Sequence, residues 1–246
     1  MSRMNLLLLD RAEIDTNSHA QLRGRRAAHL QTVLRVAVGD TIRTGILDGP
    51  IGTARVLAIA TDLVEVSVTC ETTVPLCHDT LLLAVPRPKV LQRMLEHAAA
   101  LGFAQIVLFR SWRVEKSHLD SKQLLPAVQE EHLRLGLEQS QRTQLPRVQF
   151  FPLFRPFVED HLAKLILPQH RFCAHPNAAT STAELRLTKS AALALAIGPD
   201  GGFLPYEVAQ LAQHGFLPVR LGPHPLRTES ALSVLHGQMD LLRQRG

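Results

Sequence analysis

The sequence has few cysteines, few aromatic residues and no long apolar run. Its 246 residues include 3 cysteines, 1 tryptophan and 1 tyrosine, and aromatic residues make up 4%. Cysteines without a Cys-x-x-Cys or Cys/His spacing argue against a disulfide framework and a zinc site, so we expect a reducing compartment and no metal. No stretch approaches the roughly 20 apolar residues of a membrane helix. We therefore expect a cytoplasmic protein without membrane attachment.

The sequence also lacks several motifs that would assign it to a common class. It contains no Gly-Lys-Ser/Thr tripeptide, so it has no phosphate-binding P-loop. The run Leu6–Leu9 is too short for the apolar core of a signal peptide and ends at Asp10. The scarcity of aromatic residues leaves little surface on which the bases of single-stranded RNA would stack.

The overall composition is that of a soluble globular protein. Hydrophobic residues make up 46% and charged residues 20%, and the length allows one large or two modest domains. The formal net charge of +5 is compatible with an acidic partner such as nucleic acid, although this balance alone does not require one.

The N-terminal third has the pattern of short β-strands. Residues Leu63–Cys70 alternate between apolar and polar side chains, which predicts a half-buried strand. Similar runs at Asp40–Leu47 and Ile51–Ile59 are separated by a turn at Asp48–Pro50. A short helix is predicted before them, at Ala27–Val36. Closely spaced short strands predict a small barrel or sandwich.

From about residue 73 the pattern changes to alternating strands and helices. The predicted strands and helices are Asp79–Val85, Val90–Leu101, Gln105–Phe109, Gln123–Gln139, Arg171–Ala174, Ala191–Ile197, Glu207–Gln213, Pro218–Leu221 and Thr228–Leu242. Such alternation predicts a mostly parallel sheet covered by helices on both faces, and therefore an α/β fold. With the boundary near Val74 and Pro75, the predicted domains are residues 1–74 and 75–246.

Two glycine-bearing loops near the C-terminus, Ile197–Phe203 and Leu221–Glu229, are the strongest candidates for a site. Each follows an apolar run and precedes a helical pattern, which suits a small flat ligand held by main-chain groups. The first loop does not have the glycine spacing of the dinucleotide fingerprint, and by itself it also fits an ordinary tight turn. In the second, Thr228 is predicted to cap the last helix, and Arg227 with Glu229 fits either a site or a solvated surface pair.

The residues of these two loops resemble the RsmE family. Further similarity lies at His29-Leu30, Gly39-Asp40, Glu138–Ser140 with Arg142, and His175-Pro176, so that the resemblance spans nearly the whole chain. The family consists of SPOUT-class methyltransferases that use S-adenosylmethionine to methylate N3 of a uridine in 16S ribosomal RNA of the small ribosomal subunit. The resemblance implies this activity, a PUA-like RNA-binding β-barrel in the first domain, and a SPOUT α/β domain with a C-terminal trefoil knot in the second.

The resemblance also implies a set of cofactor-binding residues and a homodimer. The cofactor would lie between three loops, and adenine would meet backbone groups of Leu221 and Leu226. Since SPOUT domains complete their site across a two-fold axis, the amphipathic last helix is the expected contact element. The residues carried over to the cofactor site are His175, Pro176, Ile197, Gly198, Pro199, Gly201, Gly202, Leu221, Gly222, Leu226 and Thr228.

The chemistry requires removal of a proton from uracil N3 and stabilisation of the resulting anion. Arg227 is the candidate for stabilising the anion, and Glu229 for orienting the base or accepting the proton. Glu207 is a more distant candidate. Arg142 matches a family position near the active site or the RNA, although an arginine at a helix end is an equal interpretation.

Basic residues in both domains are candidates for phosphate contact. Those of the first domain are Arg23, Arg25, Arg26 and Arg35. A second basic segment covers residues 87–122. A solvated basic surface is the alternative for each.

Family members often have a lysine and a glutamate where this chain has His97 and Ala100, which leaves the RNA target open. Two alternatives therefore stay beside the uridine methyltransferase. One is a divergent SPOUT protein that methylates another RNA, and the other is an RNA-binding module without catalysis.

Overall fold

The computed structural model describes residues 5–246, and these form two units, each with its own sheet. The first unit runs to Leu76 and takes in Leu133–Leu145, and the second comprises Cys77–His132 and Pro146–Gly246. The main division thus falls two residues after the predicted boundary. The grouping of Leu133–Leu145 with the N-terminal unit was not predicted.

The first unit contains a five-stranded sheet in the order β1-β3-β4-β5-β2. The β1–β3 pair is parallel and the other pairs are antiparallel. The predicted alternation along the fifth strand is confirmed, since Val64, Val66 and Val68 are buried in the core. The strands are β1 (Leu7–Leu9), β2 (His19–Leu22), β3 (Thr41–Ile46), β4 (Ile51–Ala60) and β5 (Leu63–Thr72).

The helical segments of the first unit connect or cover this sheet. Helix α1 (Gly24–His29) continues into a π-helical turn at Leu30–Leu34, and a 3₁₀ turn occupies Arg11–Glu13. The last turns of a longer helix, which begins in the second unit at Pro126 and ends at Ser140, also pack here. Polar contacts tie this segment to the first unit: Arg134 lies 2.7 Å from Asp10 Oδ1, and the Asp48 N–H donates to the Thr143 carbonyl oxygen at 2.8 Å.

The second unit contains a six-stranded sheet in the order β11-β9-β10-β6-β7-β8, with every neighbouring pair parallel. The predicted α/β fold is confirmed. The central strand β10 is apolar and buried throughout, as expected for a parallel sheet covered on both faces. The strands are β6 (Asp79–Ala84), β7 (Phe103–Phe109), β8 (Arg147–Phe151), β9 (His170–Ala174), β10 (Leu193–Ile197) and β11 (Leu217–Val219).

The helices follow the predicted order, with additional short segments between them. None of the helices in residues 5–246 has the length and apolar character needed to cross a membrane. The helices are α2 (Pro88–Leu101), α3 (Lys116–Leu119), α4 (Pro126–Ser140), α5 (Phe154–Pro156), α6 (Pro205–Gln213) and α7 (Thr228–Arg245). The short segments are 3₁₀ turns at Lys122–Leu124, Leu162–Lys164 and Thr182–Glu184 and a π-helical turn at Phe157–His161.

The chain after β11 is held by the loop that follows β9. The His175 N–H donates to the Val219 carbonyl oxygen at 3.0 Å, and the Arg220 N–H donates to the Thr180 carbonyl oxygen at 2.9 Å. The Thr182 N–H donates back to the Arg220 carbonyl oxygen at 3.2 Å. Because β9, β10 and β11 are parallel, the loops after their carboxyl ends lie at one edge of the sheet.

A buried ion pair fixes the last helix to the first residue of the central strand β6. One Arg243 guanidinium nitrogen lies 2.5 Å from Asp79 Oδ1, which also accepts the Leu193 N–H at 2.8 Å. Arg243 Nε donates to the Ala191 carbonyl oxygen at 2.8 Å. Both side chains of the pair are largely buried. Each charge therefore needs the other to offset the cost of removing it from water.

Replacing Arg243 with methionine would leave the Asp79 carboxylate buried without its cation. We expect the free energy of unfolding to fall by about 3 kcal/mol, measured by urea denaturation. Arg245→Met changes an exposed arginine of the same last turn and should cost less than about 0.5 kcal/mol. Equal effects of the two substitutions would contradict this role of Arg243.

Candidate functional site

The loops after β9, β10 and β11 enclose a cavity of about 280 Å³. All eleven residues that the sequence predicted for the cofactor line this cavity. The first loop contributes His175 and Pro176, and the other two contribute the remaining nine. The cavity is also lined by Ala174, Asp200, Phe203, His224, Pro225 and Ala231.

The loop after β10 is shaped by a tight turn. The Gly202 N–H donates to the Pro199 carbonyl oxygen at 2.7 Å, and Gly202 has φ +70°, which favours glycine. A Cβ atom at Gly198 would lie 3.1 Å from the Phe203 nitrogen. The backbone therefore folds closely over itself here and presents main-chain groups to the cavity.

The prediction that Thr228 caps the last helix is wrong. Arg227 is the N-cap residue, with φ −65° and ψ 154°, and Thr228 is the first helical residue. The buried Thr228 hydroxyl lies 3.2 Å from Asp200 Oδ1 and 3.4 Å from the Gly198 carbonyl oxygen. Its single proton can be donated to either acceptor, and through this contact with the loop after β10 Thr228 joins two walls of the cavity.

The strand below the first loop carries a buried thiol. Cys173 is fully buried in β9, and this burial, assisted by the negative charge of Glu207, raises the pKa of the thiol to about 12. The thiol is therefore protonated at neutral pH, and a thiolate nucleophile next to the cavity is excluded.

This burial predicts a chemically inert Cys173. We expect iodoacetamide at pH 8 to leave Cys173 unmodified in the folded protein and to label it fully in denaturant, as read by peptide mass spectrometry. Half-buried Cys77 is the internal comparison. Labelling of both residues at the same rate without denaturant would show that the thiol is accessible or ionised.

Two of the three catalytic candidates lie at the start of α7. Arg227 is exposed between two residues that line the cavity, Leu226 and Thr228. Glu229 is bound to Arg93 of α2, whose Nε donates to Glu229 Oε1 at 2.6 Å. The carboxylate of Glu229 is thus engaged by a cation, whereas no side-chain partner of Arg227 is found among residues 5–246.

The more distant candidate, Glu207, has a structural role. Its carboxylate is buried and accepts the Trp112 and Leu204 N–H groups, both at 2.8 Å, and the Ser111 hydroxyl at 3.1 Å. The interpretation of Glu207 as a proton acceptor is therefore unsupported, because three donors already occupy its oxygens. The third catalytic candidate, Arg142, lies in the first unit, follows α4 and is not among the residues that line the cavity.

The predicted basic cluster of the first unit is divided by the structure. Arg25 forms an ion pair with Glu138 at 3.1 Å, and the half-buried Arg26 is paired with Glu13. Arg23 and Arg35 are exposed. Only these last two keep their charge free of a carboxylate, as far as the described part of the chain shows, so the expected phosphate-binding surface is smaller than predicted.

Sequence reasoning missed Ala231 and Arg93. Ala231 stands three residues after Thr228 on α7, so helical spacing alone places both on one face. Arg93 is distant in sequence from Glu229 and no local pattern connects them. It was assigned to a basic surface, whereas its guanidinium binds Glu229.

Comparisons with known proteins agree with this architecture. Over 236 residues the chain is 29% identical to ribosomal RNA small subunit methyltransferase E of Treponema pallidum, covering 93% of this chain and 87% of that one. The crystal structure of the Neisseria gonorrhoeae protein of the same name, bound to S-adenosyl methionine, superposes with a TM-score of 0.78 at 24% identity, covering 97% and 98% of the two chains. A Legionella pneumophila methyltransferase with bound SAM gives 0.76 at 22% identity, covering 99% and 98%.

The family model for the RNA methyltransferase domain matches residues 73–240, which is more than half of the chain. The protein therefore belongs to this family of RNA methyltransferases. The resemblance to the RsmE family, predicted from the two glycine-bearing loops, is confirmed by the relatives named above.

Proposed function

We propose that the protein transfers a methyl group from S-adenosylmethionine to N3 of a uridine in 16S ribosomal RNA of the small subunit. The observation that carries the proposal is the convergence of three loops on one cavity, beside which Arg227 stands exposed. Relatives named small subunit methyltransferase E, and two structures of similar fold with the cofactor bound, support it.

The residues of the cavity fit this cofactor. The volume of the cavity, about 280 Å³, lies just below the roughly 300 Å³ at which small-molecule sites usually begin. Leu221 and Leu226 offer apolar surface to an adenine ring, while the glycines allow close main-chain approach. Gln238 Nε2 donates to the Leu221 carbonyl oxygen at 2.9 Å and fixes the orientation of that peptide group.

The cofactor, when bound, supplies an electrophilic methyl group and leaves as a neutral thioether. The residues of the chain must therefore hold the uracil ring in line with this methyl group and stabilise N3 as it loses its proton. Arg227 is proposed to donate hydrogen bonds to a uracil carbonyl oxygen, which shares the negative charge of the N3 anion. Its exposure and its lack of a carboxylate partner in the described chain leave the guanidinium available for this role.

Glu229 is proposed to orient the site through Arg93. The contact of 2.6 Å between them joins the first turn of α7 to α2. Acceptance of the N3 proton by Glu229 would first require this contact to break, so orientation is the role that the geometry favours. Arg142 is kept as a candidate RNA contact, in keeping with its place in the first unit.

The three cavity loops are proposed to form a trefoil knot. Val219 and Arg220 are bonded to the loop at residues 175–182, and the chain then continues into α7. These bonds hold the chain after β11 against the loop at residues 175–182, and this contact supports the proposed crossing. The first unit is proposed to be a PUA-like RNA-binding barrel, in which exposed Arg23 and Arg35 contact phosphate groups.

A homodimer is proposed through the outer face of α7. Val234 and Leu241 are both exposed and stand seven residues apart, on one stripe of the helix. Exposed Gly237 between them would allow close approach of a second helix.

Replacing Arg227 with alanine should lower kcat for methyl transfer about 10²-fold, because the N3 anion would lose its hydrogen-bond donor. The affinity for S-adenosylmethionine should stay within about twofold, since Arg227 does not line the cavity. Arg227→Lys should retain part of the rate. The measurement is nucleoside mass spectrometry of 3-methyluridine formed on small-subunit RNA.

The matched control is Arg245→Ala, which removes an exposed arginine at the other end of α7. Full methyl transfer by Arg227→Ala would refute only the role assigned to Arg227 and would leave the proposed reaction standing. Absence of 3-methyluridine with the unchanged protein would refute the proposed reaction. Methylation of a different nucleoside, or cofactor binding without any transfer, would then favour the divergent-target or the non-catalytic alternative.

A further inference from the structure

A second cavity, of about 470 Å³, lies at the carboxyl ends of β7 and β8. The only tryptophan and the only tyrosine of the chain, Trp112 and Tyr206, both line it. Trp112 is 79% exposed and Tyr206 is 50% exposed. Two large aromatic side chains that are exposed to solvent beside a concave surface are typical of a binding site and not of a hydrophobic core. We call this site the aromatic cavity.

A buried carboxylate holds the two sides of the aromatic cavity together. One side carries Trp112 and the other carries Leu204 with Tyr206. Glu207 accepts the N–H groups of Trp112 and Leu204 and is 1% exposed. The backbone that presents the two aromatic residues is therefore fixed before any ligand binds, which lowers the entropic cost of binding.

Aromatic rings lie between the aromatic cavity and the cavity formed by the loops after β9, β10 and β11, which we call the loop cavity. Tyr206 meets Phe154 edge to face, with ring centroids 6.4 Å apart. Phe154 is 5.9 Å from Phe109, which is stacked on Phe203 at 6.1 Å. Since Phe203 lines the loop cavity, a continuous row of rings within the second unit separates the two cavities.

The charge around the aromatic cavity is positive. Arg110 and Arg155 line it, and the only lining carboxylate, that of Glu207, is enclosed by its three donors. Arg155 bonds to Glu159 at 2.8 Å, but both side chains are exposed and this pair is weak in water. Arginine beside exposed aromatic rings is the combination that holds a base by stacking and its phosphate by charge.

We propose that the aromatic cavity binds an unstacked base of single-stranded RNA, close to the nucleotide that is methylated. This inference rests on the proposed function, because it takes the substrate to be RNA. Sequence-specific recognition of RNA depends on bases displaced from a helix and stacked on aromatic side chains. The aromatic cavity would thus hold a neighbouring base while the target base reaches the loop cavity.

The single tryptophan makes the proposal directly measurable. Emission from Trp112 reports on the aromatic cavity alone, so titration of the full-length protein with a single-stranded hexauridylate should quench it. An RNA duplex with the same number of phosphates should quench it far less, because its bases stay stacked. Equal quenching by the two RNAs, or none by either, would overturn the proposal.

Substitutions test the same site by affinity for fluorescein-labelled hexauridylate. Trp112→Ala should weaken binding about tenfold, the loss expected for one stacked base, and Trp112→Phe should restore most of it. Tyr206→Phe should bind this RNA as tightly as the unchanged protein does, whereas Tyr206→Ala should bind it more weakly. Ile166→Ala, which removes an apolar side chain that is 95% exposed and outside the cavity, should have no effect.

The outcome is separable from that of the proposed reaction. If Trp112→Ala leaves RNA affinity and kcat/KM for methyl transfer unchanged while the unchanged protein forms 3-methyluridine, the aromatic cavity is not a base site and the reaction stands. If Trp112→Ala instead alters the sedimentation behaviour of the protein and not its RNA affinity, the surface is a contact between copies of the chain, and the inference is wrong.

Discussion

The pairing of β11 with β9, together with the hydrogen bonds between the loop after β9 and the chain after β11, positions the loops that line the cavity. Three main-chain hydrogen bonds between residues 175–182 and Val219–Arg220 bring together loops that are far apart in sequence. Without these bonds Gly198 and Leu221 would belong to separate turns. With them, the carboxyl ends of three parallel strands form one cavity, as parallel α/β sheets allow, and Thr228 and Arg243 fix the last helix over it.

The site could be located from the sequence because its information is local. Glycine and proline after an apolar run mark each loop, and the resemblance to a known family supplied what spacing could not. The strands β3 to β7 and β9 to β11 and the helices α2, α4, α6 and α7 were also predicted, from alternation, short apolar runs or helical spacing. The β1, β2 and β8 strands were missed. The first and last are three and five residues long, and such short runs carry little periodicity.

What the sequence could not reveal depends on contacts between distant residues. Glu207 was a candidate catalytic residue because it follows the loop at Ile197–Phe203, yet three hydrogen-bond donors bind its carboxylate within the fold. Arg25 and Arg26 looked like an RNA surface, yet each has a carboxylate partner. The same limit affected Trp112 and Tyr206. A low aromatic content predicted little stacking surface, whereas the fold concentrates both residues in one cavity beside two arginines.

The central claim is that the cavity between the three loops holds S-adenosylmethionine. A Cβ atom at Gly222 would meet no heavy atom within 4 Å, so a side chain there extends into open space and leaves the fold unstrained. Ala58 is exposed on β4 of the first unit, outside the cavity, and can take the same enlargement. The most direct measurement is titration calorimetry with the cofactor. Gly222→Leu should weaken binding by at least about tenfold, a loss of roughly 1.4 kcal/mol, and Ala58→Leu should not change it. Equal affinity of both variants, or no binding by the unchanged protein, would contradict the account.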